Sequence, residues 1–163
     1  MKKLLMGSVV LTIFALSITL FQISCKKEAA AQSNPALTKE EILVQKTWKI
    51  DQLHRVIGGV YASYFSGGVN TTGKNYDLNR YTFNSDGTGI YIGEDGKTYN
   101  STWQFTSSDK RTMTFSISLN GSTPSVNNWV MVEIAGNYLH VTQNFTVGGN
   151  TNNLHSFRLI QIP

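Results

Sequence analysis

The feature that most constrains this chain is a period-two rhythm, interrupted at regular intervals by tight-turn dipeptides. Tyr81 and Phe83 share one parity, as do Tyr99, Trp103 and Phe105, then Met113, Phe115, Ile117 and Leu119, then Leu139, Val141, Phe145 and Val147. Thr112, Thr114, Ser116 and Ser118 occupy the alternate positions of one such run. Successive strand side chains point to opposite faces, so this pattern gives each strand one apolar and one wet face, as in an antiparallel sheet. Asp86-Gly87, Asp95-Gly96, Asn120-Gly121, Gly136-Asn137 and Gly148-Gly149-Asn150 separate the runs. Short, evenly spaced strands with hairpin turns predict an all-β sandwich or barrel of about eight or nine strands.

The final segment, Asn153 to Pro163, ends on a strand that is well placed to pair with the first and close the sheet. Thr38 with Glu41 three residues on is a capping-box signature, predicting one short helix just before the β region. Val126 to Ile134 is apolar on both parities, so its outer face is expected to be covered, with that helix as candidate. Thr88, Ile90 and Ile92 read as the apolar face of their strand. Gly67 to Asp77 is the one long irregular stretch, either a lid or a plain connector.

The 163 residues divide as 1–24, 25–36 and 37–163. Met1-Lys2-Lys3 followed by the apolar run Leu4 to Ile23 reads as a signal sequence, excluded from the fold. The run is close to the roughly 20 residues that span a bilayer, so a plain transmembrane helix is the alternative. Phe21-Gln22-Ile23-Ser24-Cys25 contains the chain's single cysteine, which has no partner for a disulfide. The stretch resembles the lipobox of bacterial lipoproteins, in which the cysteine becomes the lipidated first residue. Gln22 stands where an aliphatic residue is usual. That resemblance implies lipidation at Cys25, a tether from Lys26 to Ala36, and an outer-membrane anchor with the facing side open.

Formal net charge is +4. Setting aside Lys2 and Lys3 leaves 12 basic against 10 acidic residues with no basic block, so nucleic acid is not the expected partner. The chain has no G-x-S-x-G nucleophile motif. Gly87-Thr88-Gly89 lacks the third glycine of a phosphate loop, because position 92 is Ile92. Asn84 to Gly87 mimics the middle of a calcium loop, but Thr82 and Gly93 stand at its anchoring positions. His54, His140 and His155 have no metal-ligand spacing. The expectation is a non-catalytic protein with no metal and no cofactor.

Three stretches together resemble the lipocalin-like domain of small bacterial lipoproteins: Lys46 to Ile50 (KTWKI), Arg80 to Tyr91 (RYTFNSDGTGIY) and Ser101 to Phe105 (STWQF). The resemblance covers roughly Leu37 to Pro163. It implies an up-and-down barrel of about eight strands with one open end, holding one small ligand or filled by side chains. It also implies that Arg158, from the last strand, covers Trp48 on the first. If the apolar faces point inward, Tyr81, Phe83, Tyr99, Trp103, Phe115 and Phe145 form a candidate pocket wall with Gln143 as a polar contact. Ser101 and His155 are further polar residues on apolar faces. The leading expectation is a lipid-anchored binding module for a small apolar or amphipathic molecule. The alternative is an accessory lipoprotein with a solid barrel core.

Overall fold

The computed structural model describes residues 36–118 and 123–163. The signal run, Cys25, the tether before Ala36 and the Asn120-Gly121 turn lie outside them. Leu37–Pro163 forms one compact unit containing every described strand and its partners.

The chain enters through α1 (Lys39–Leu43). The Thr38 hydroxyl accepts from the Glu41 backbone N–H at 3.2 Å, and the Glu41 carboxylate accepts from the Thr38 backbone N–H at 2.7 Å. This reciprocal box satisfies two helix-start donors that would otherwise lack partners. Nine strands follow: β1 (Thr47–Ile57), β2 (Val60–Phe65), β3 (Arg80–Phe83), β4 (Thr88–Ile92), β5 (Thr98–Phe105), β6 (Met113–Ile117), β7 (Ser125–Ala135), β8 (Tyr138–Val147) and β9 (Asn150–Ile162). From β3 to β9 each strand pairs antiparallel with the next. β9 then pairs with β1 along nearly its whole length, from Thr47↔Ile162 to Val56↔Leu154, and β1 pairs with β3. Eight strands therefore close a barrel, and closure removes the exposed edges an open sheet would leave.

The ninth strand comes from a division of labour along β1. Only Trp48 and Lys49 pair with β3, whereas Gln52 to Ile57 pair with β2 through the Gly58-Gly59 turn. Both turn glycines have positive φ, +56° and +81°, as a two-residue hairpin of this hand requires. β2 prolongs the sheet beside the upper half of β1. Its far edge is covered by the following loop, where Tyr64 bridges to Asn70 and Thr71 donates to the Ser63 carbonyl.

One end of the barrel is shut. The β3–β4 turn, the β5–β6 loop, the β7–β8 turn and the start of β1 all lie there, because neighbours run antiparallel. Trp48, Phe83, Met113, Leu139 and Leu159 fill it, each at most 1% exposed. Helix α1 is bound at the same end. The Trp48 indole N–H donates to the Leu43 carbonyl at 2.8 Å, and the Gln161 amide donates to the Ile42 carbonyl at 3.1 Å. Lys39 donates to the Asp109 and Lys110 carbonyls, and Lys110 pairs with Glu40.

Two expectations about facing are corrected. In β7 the buried residues are Trp129, Val132 and Ile134, a spacing that breaks period two. The register with β8 shifts between Val130 and Glu133, and Met131 sits in a left-handed conformation (φ +54°), 59% exposed. A β-bulge thus changes the inward parity midway, so apolar residues occur on both parities; α1 does lie against β7, but Val126 and Met131 stay exposed. In β4 the inward positions are Gly89 and Tyr91, opposite Phe83 and Tyr81, while Ile90 and Ile92 are half-buried on the other face. A Cβ at Gly89 would stand 2.4 Å from the Thr82 carbonyl oxygen, so this inward position admits no side chain.

Candidate functional site

Above the packed end the barrel is hollow. A cavity of about 520 Å³ is walled by every strand of the closed ring. Ile50 and Leu53 come from β1, Tyr81 from β3, Tyr91 from β4 and Tyr99 from β5. Phe115 and Ile117 come from β6, Asn127 and Trp129 from β7, Gln143 and Phe145 from β8, and His155 and Phe157 from β9. Lys74 and Tyr76 of the β2–β3 loop, with Glu94 and Asp95 of the β4–β5 turn, complete it. Lys74, Glu94 and Asp95 are exposed and mark the end that reaches solvent.

The wall is built of interlocked rings. Phe115 stacks on Trp129 with centroids 5.1 Å apart, and Tyr81 lies 5.0 Å from Tyr91 and 5.6 Å from Phe115. Such offset and edge contacts add to the burial of each ring and fix the shape of the space between them. Burial pushes the Tyr91 hydroxyl up to about 12 and the Tyr81 hydroxyl well above its ordinary range, so both stay protonated.

Polar groups are set into this wall at separate places. Asn79 is 2% exposed; its amide nitrogen donates to the Tyr91 hydroxyl at 2.7 Å, and its side-chain oxygen has no partner in the protein. Gln143 donates to the Asn127 side-chain oxygen at 2.9 Å. His155 is held between Phe145 and Phe157, with centroids 4.4 and 5.5 Å away, and its Nε2 is buried without a partner. Burial among these rings, aided by the positive charges of Arg55 and Lys74, lowers its pKa to about 4, so the ring is neutral at physiological pH. At the mouth, Lys74 Nζ meets Glu94 Oε1 at 2.7 Å, tying the β2–β3 loop to the β4–β5 turn. The Gly67 to Asp77 stretch is thus fastened on both sides. Arg55 donates to the Thr72 carbonyl, and the Asn70 side-chain oxygen accepts from the Thr72 N–H at 3.0 Å.

Of the residues expected in the pocket wall, Tyr81, Tyr99, Phe115, Gln143 and Phe145 line the cavity. Phe83 and Trp103 stand elsewhere. Phe83 is 1% exposed in the shut end and packs edge-on against Trp103 at 5.8 Å. The Trp103 indole N–H donates to the carbonyls of Asn84 and Thr88 at 3.0 and 3.1 Å, pinning the β3–β4 turn. Their parity matches the wall residues, but their height in the barrel puts them below the cavity, and parity carries no information about height. Ser101 is also buried, opposite Gly89 and Ile117, with an unpartnered hydroxyl.

The expected cover of Trp48 by Arg158 is corrected. Trp48 lies opposite Gln161 in the β1–β9 ladder and shares its face. Arg158, an odd number of residues from Gln161, points to the other face. There its guanidinium binds the Asp51 carboxylate, with Nε at 2.9 Å. Trp48 is covered by α1 instead.

Tyr91, Trp129 and Asn79 were not marked by sequence reasoning. Tyr91 alternates with glycines, which leave a hydrophobic pattern blank, and Trp129 precedes a bulge. Asn79 lies before its strand begins. Among the described residues no three His, Cys, Asp or Glu side chains gather as metal ligands, and no helix is long and apolar enough to cross a membrane. A scan of protein-family models and searches of curated proteins and of solved structures found no match to the chain. Fold and site together define a closed eight-stranded β-barrel, extended by one strand, with a hollow aromatic interior.

Proposed function

We propose that this protein is a lipid-anchored, lipocalin-like, non-catalytic binding protein of the outer membrane, whose barrel holds a small apolar or amphipathic molecule. The observation that carries the reading is the cavity of about 520 Å³. It falls within the roughly 300–1,000 Å³ of small-molecule sites and has their usual make-up, a largely apolar lining with a few convergent polar groups. A barrel that served only as a solid scaffold would be filled by its own side chains to the density of a protein interior. The hollow therefore weighs against the accessory-protein alternative. Native mass spectrometry of the protein purified from its own host tests the reading. A retained non-covalent adduct is the expected result. Its absence, together with no binding of any small apolar probe, overturns it.

The anchor rests on the Ser24-Cys25 junction and the basic, apolar run before it. Multiple acyl chains would give stable attachment, at about 0.8 kcal/mol per buried CH₂. Cys25→Ser is expected to abolish incorporation of labelled palmitate in cells. Continued labelling of that variant excludes lipidation at this residue.

A further inference from the structure

The geometry points to an uncharged aromatic ligand carrying a hydrogen-bond donor, bound among the rings of the cavity with its donor on the side-chain oxygen of Asn79. This inference rests on the binding reading above and narrows it to a chemical class. Three observations converge on it.

First, the charged residues of the wall stand only at the mouth, and Lys74 there is already paired with Glu94 at 2.7 Å. An ionic group carried into the interior would find only neutral partners, and an unpaired buried charge is strongly disfavoured. His155 at neutral pH supplies no charge either.

Second, the wall is a set of flat faces and edges. Tyr81, Tyr91, Phe115, Trp129, Phe145 and Phe157 dominate it, against the aliphatic Ile50, Leu53 and Ile117. Planar guests meet such rings in the offset and edge-on arrangements that rings prefer, whereas a flexible alkyl chain loses rotamer freedom without that gain.

Third, the Asn79 oxygen is buried in a residue 2% exposed and has no partner, while its amide nitrogen is held by the Tyr91 hydroxyl. A buried acceptor without a donor is costly, and binding that supplies the donor removes the cost. Asn79 is itself one of the residues lining the cavity, beside Tyr81 and Tyr91.

The test uses the Leu37–Pro163 unit, which contains all the described sheet partners and core of the barrel. Its tryptophan fluorescence is titrated with pyrene, hydroxypyrene and pyrene carboxylate, and lauric acid binding is followed by native mass spectrometry. Hydroxypyrene is expected to bind about tenfold more tightly than pyrene, the ratio one good hydrogen bond supplies, and the carboxylate more weakly than either. Asn79→Leu should erase the preference for hydroxypyrene over pyrene. Asn79→Gln, which keeps a neutral amide, should retain a preference, and an unchanged far-UV circular dichroism spectrum and cooperative melting of the leucine variant guard against a folding defect. Equal binding of pyrene and hydroxypyrene, or a preference that survives Asn79→Leu, overturns the donor assignment while leaving a binding barrel. Lauric acid bound more tightly than any pyrene overturns the aromatic class and also leaves a binding barrel. No binding of any probe removes this inference and the proposed function together.

Discussion

Trp48→Phe tests how the barrel is shut. The indole N–H of Trp48 donates to the Leu43 carbonyl at 2.8 Å from a side chain that is 0% exposed. Phenylalanine keeps an aromatic ring there but removes the donor, leaving the last-turn carbonyl of α1 without this partner in a buried place. An orphaned buried acceptor costs about 1–3 kcal/mol. The smaller ring leaves a gap in packing worth roughly 1 kcal/mol more, well below the cost of full truncation to alanine. The expected loss is therefore about 2–4 kcal/mol, which for a domain of this size lowers the melting temperature by roughly 8–16 °C. Arg158→Ala is the matched comparison. Arg158 binds Asp51 on the outer face with its own side chain 46% exposed, and exposed ion pairs contribute about 0–1 kcal/mol. Its midpoint should fall by no more than roughly 4 °C. Thermal unfolding followed by circular dichroism measures both. If Arg158→Ala costs more than Trp48→Phe, the helix does not plug the barrel through the indole, and the account of the shut end is wrong.

Two further outcomes follow from the upper half of the barrel. His155 is neutral in the fold down to about 4, while in the unfolded chain it takes up a proton near 6.5. Between those values the unfolded state binds more protons, so stability falls as pH drops from about 6.5 towards about 4 and is not reduced further by this group below that. Melting curves across that window should show a shallower decline in His155→Gln than in the parent, and parallel declines would refute the assignment. Lys74→Met cuts the tie to Glu94 across the mouth. Stopped-flow mixing with hydroxypyrene should show entry and exit both accelerated several-fold at nearly unchanged melting temperature, since an exposed pair contributes little to stability. Unchanged rates would mean the loop does not gate the cavity.

The strands, most of their turns and the barrel's closure were legible because each is a local or end-to-end pattern. Tyr99 to Phe105 alternates cleanly and Asp95-Gly96 can hardly be anything but a turn. The Thr38–Glu41 box marked α1 for the same reason. What escaped was whatever breaks local periodicity or depends on depth. The bulge at Met131 reverses parity within one strand, and β4 faces inward through Tyr91 and Gly89, a glycine that no hydrophobic count registers. Phe83 and Phe115 have equal parity and near-equal burial, yet one belongs to the shut end and the other to the cavity. Arg158 was misplaced because β9 is long enough to carry both faces past Trp48. The odd separation of Arg158 from His155, already read as facing the apolar side, puts it on the opposite face, and the resemblance to lipocalins overrode that parity.

The cavity's chemistry arises where the regular pattern stops. β3 leaves β1 after two residue pairs, and β2 takes over that edge of β1 from Gln52 upward. The wall between β2 and β4 is therefore made by the β2–β3 loop rather than by a continuous ladder. That loop delivers Lys74, Tyr76 and Asn79 to the cavity. A ladder residue at the same place would have its backbone committed to neighbours and its side chain fixed by the pleat. A loop residue is free to set a buried amide beside Tyr91 and leave one acceptor unpaired. Changing the sequence of this loop should thus alter which molecules the barrel accepts while the eight-stranded ring, whose ladders do not involve it, keeps its closure. Strand substitutions such as Phe115→Leu act in the opposite sense, since Phe115 belongs to the ring cluster that supports Tyr81 and Trp129. Specificity and stability are in this way assigned to different parts of one wall.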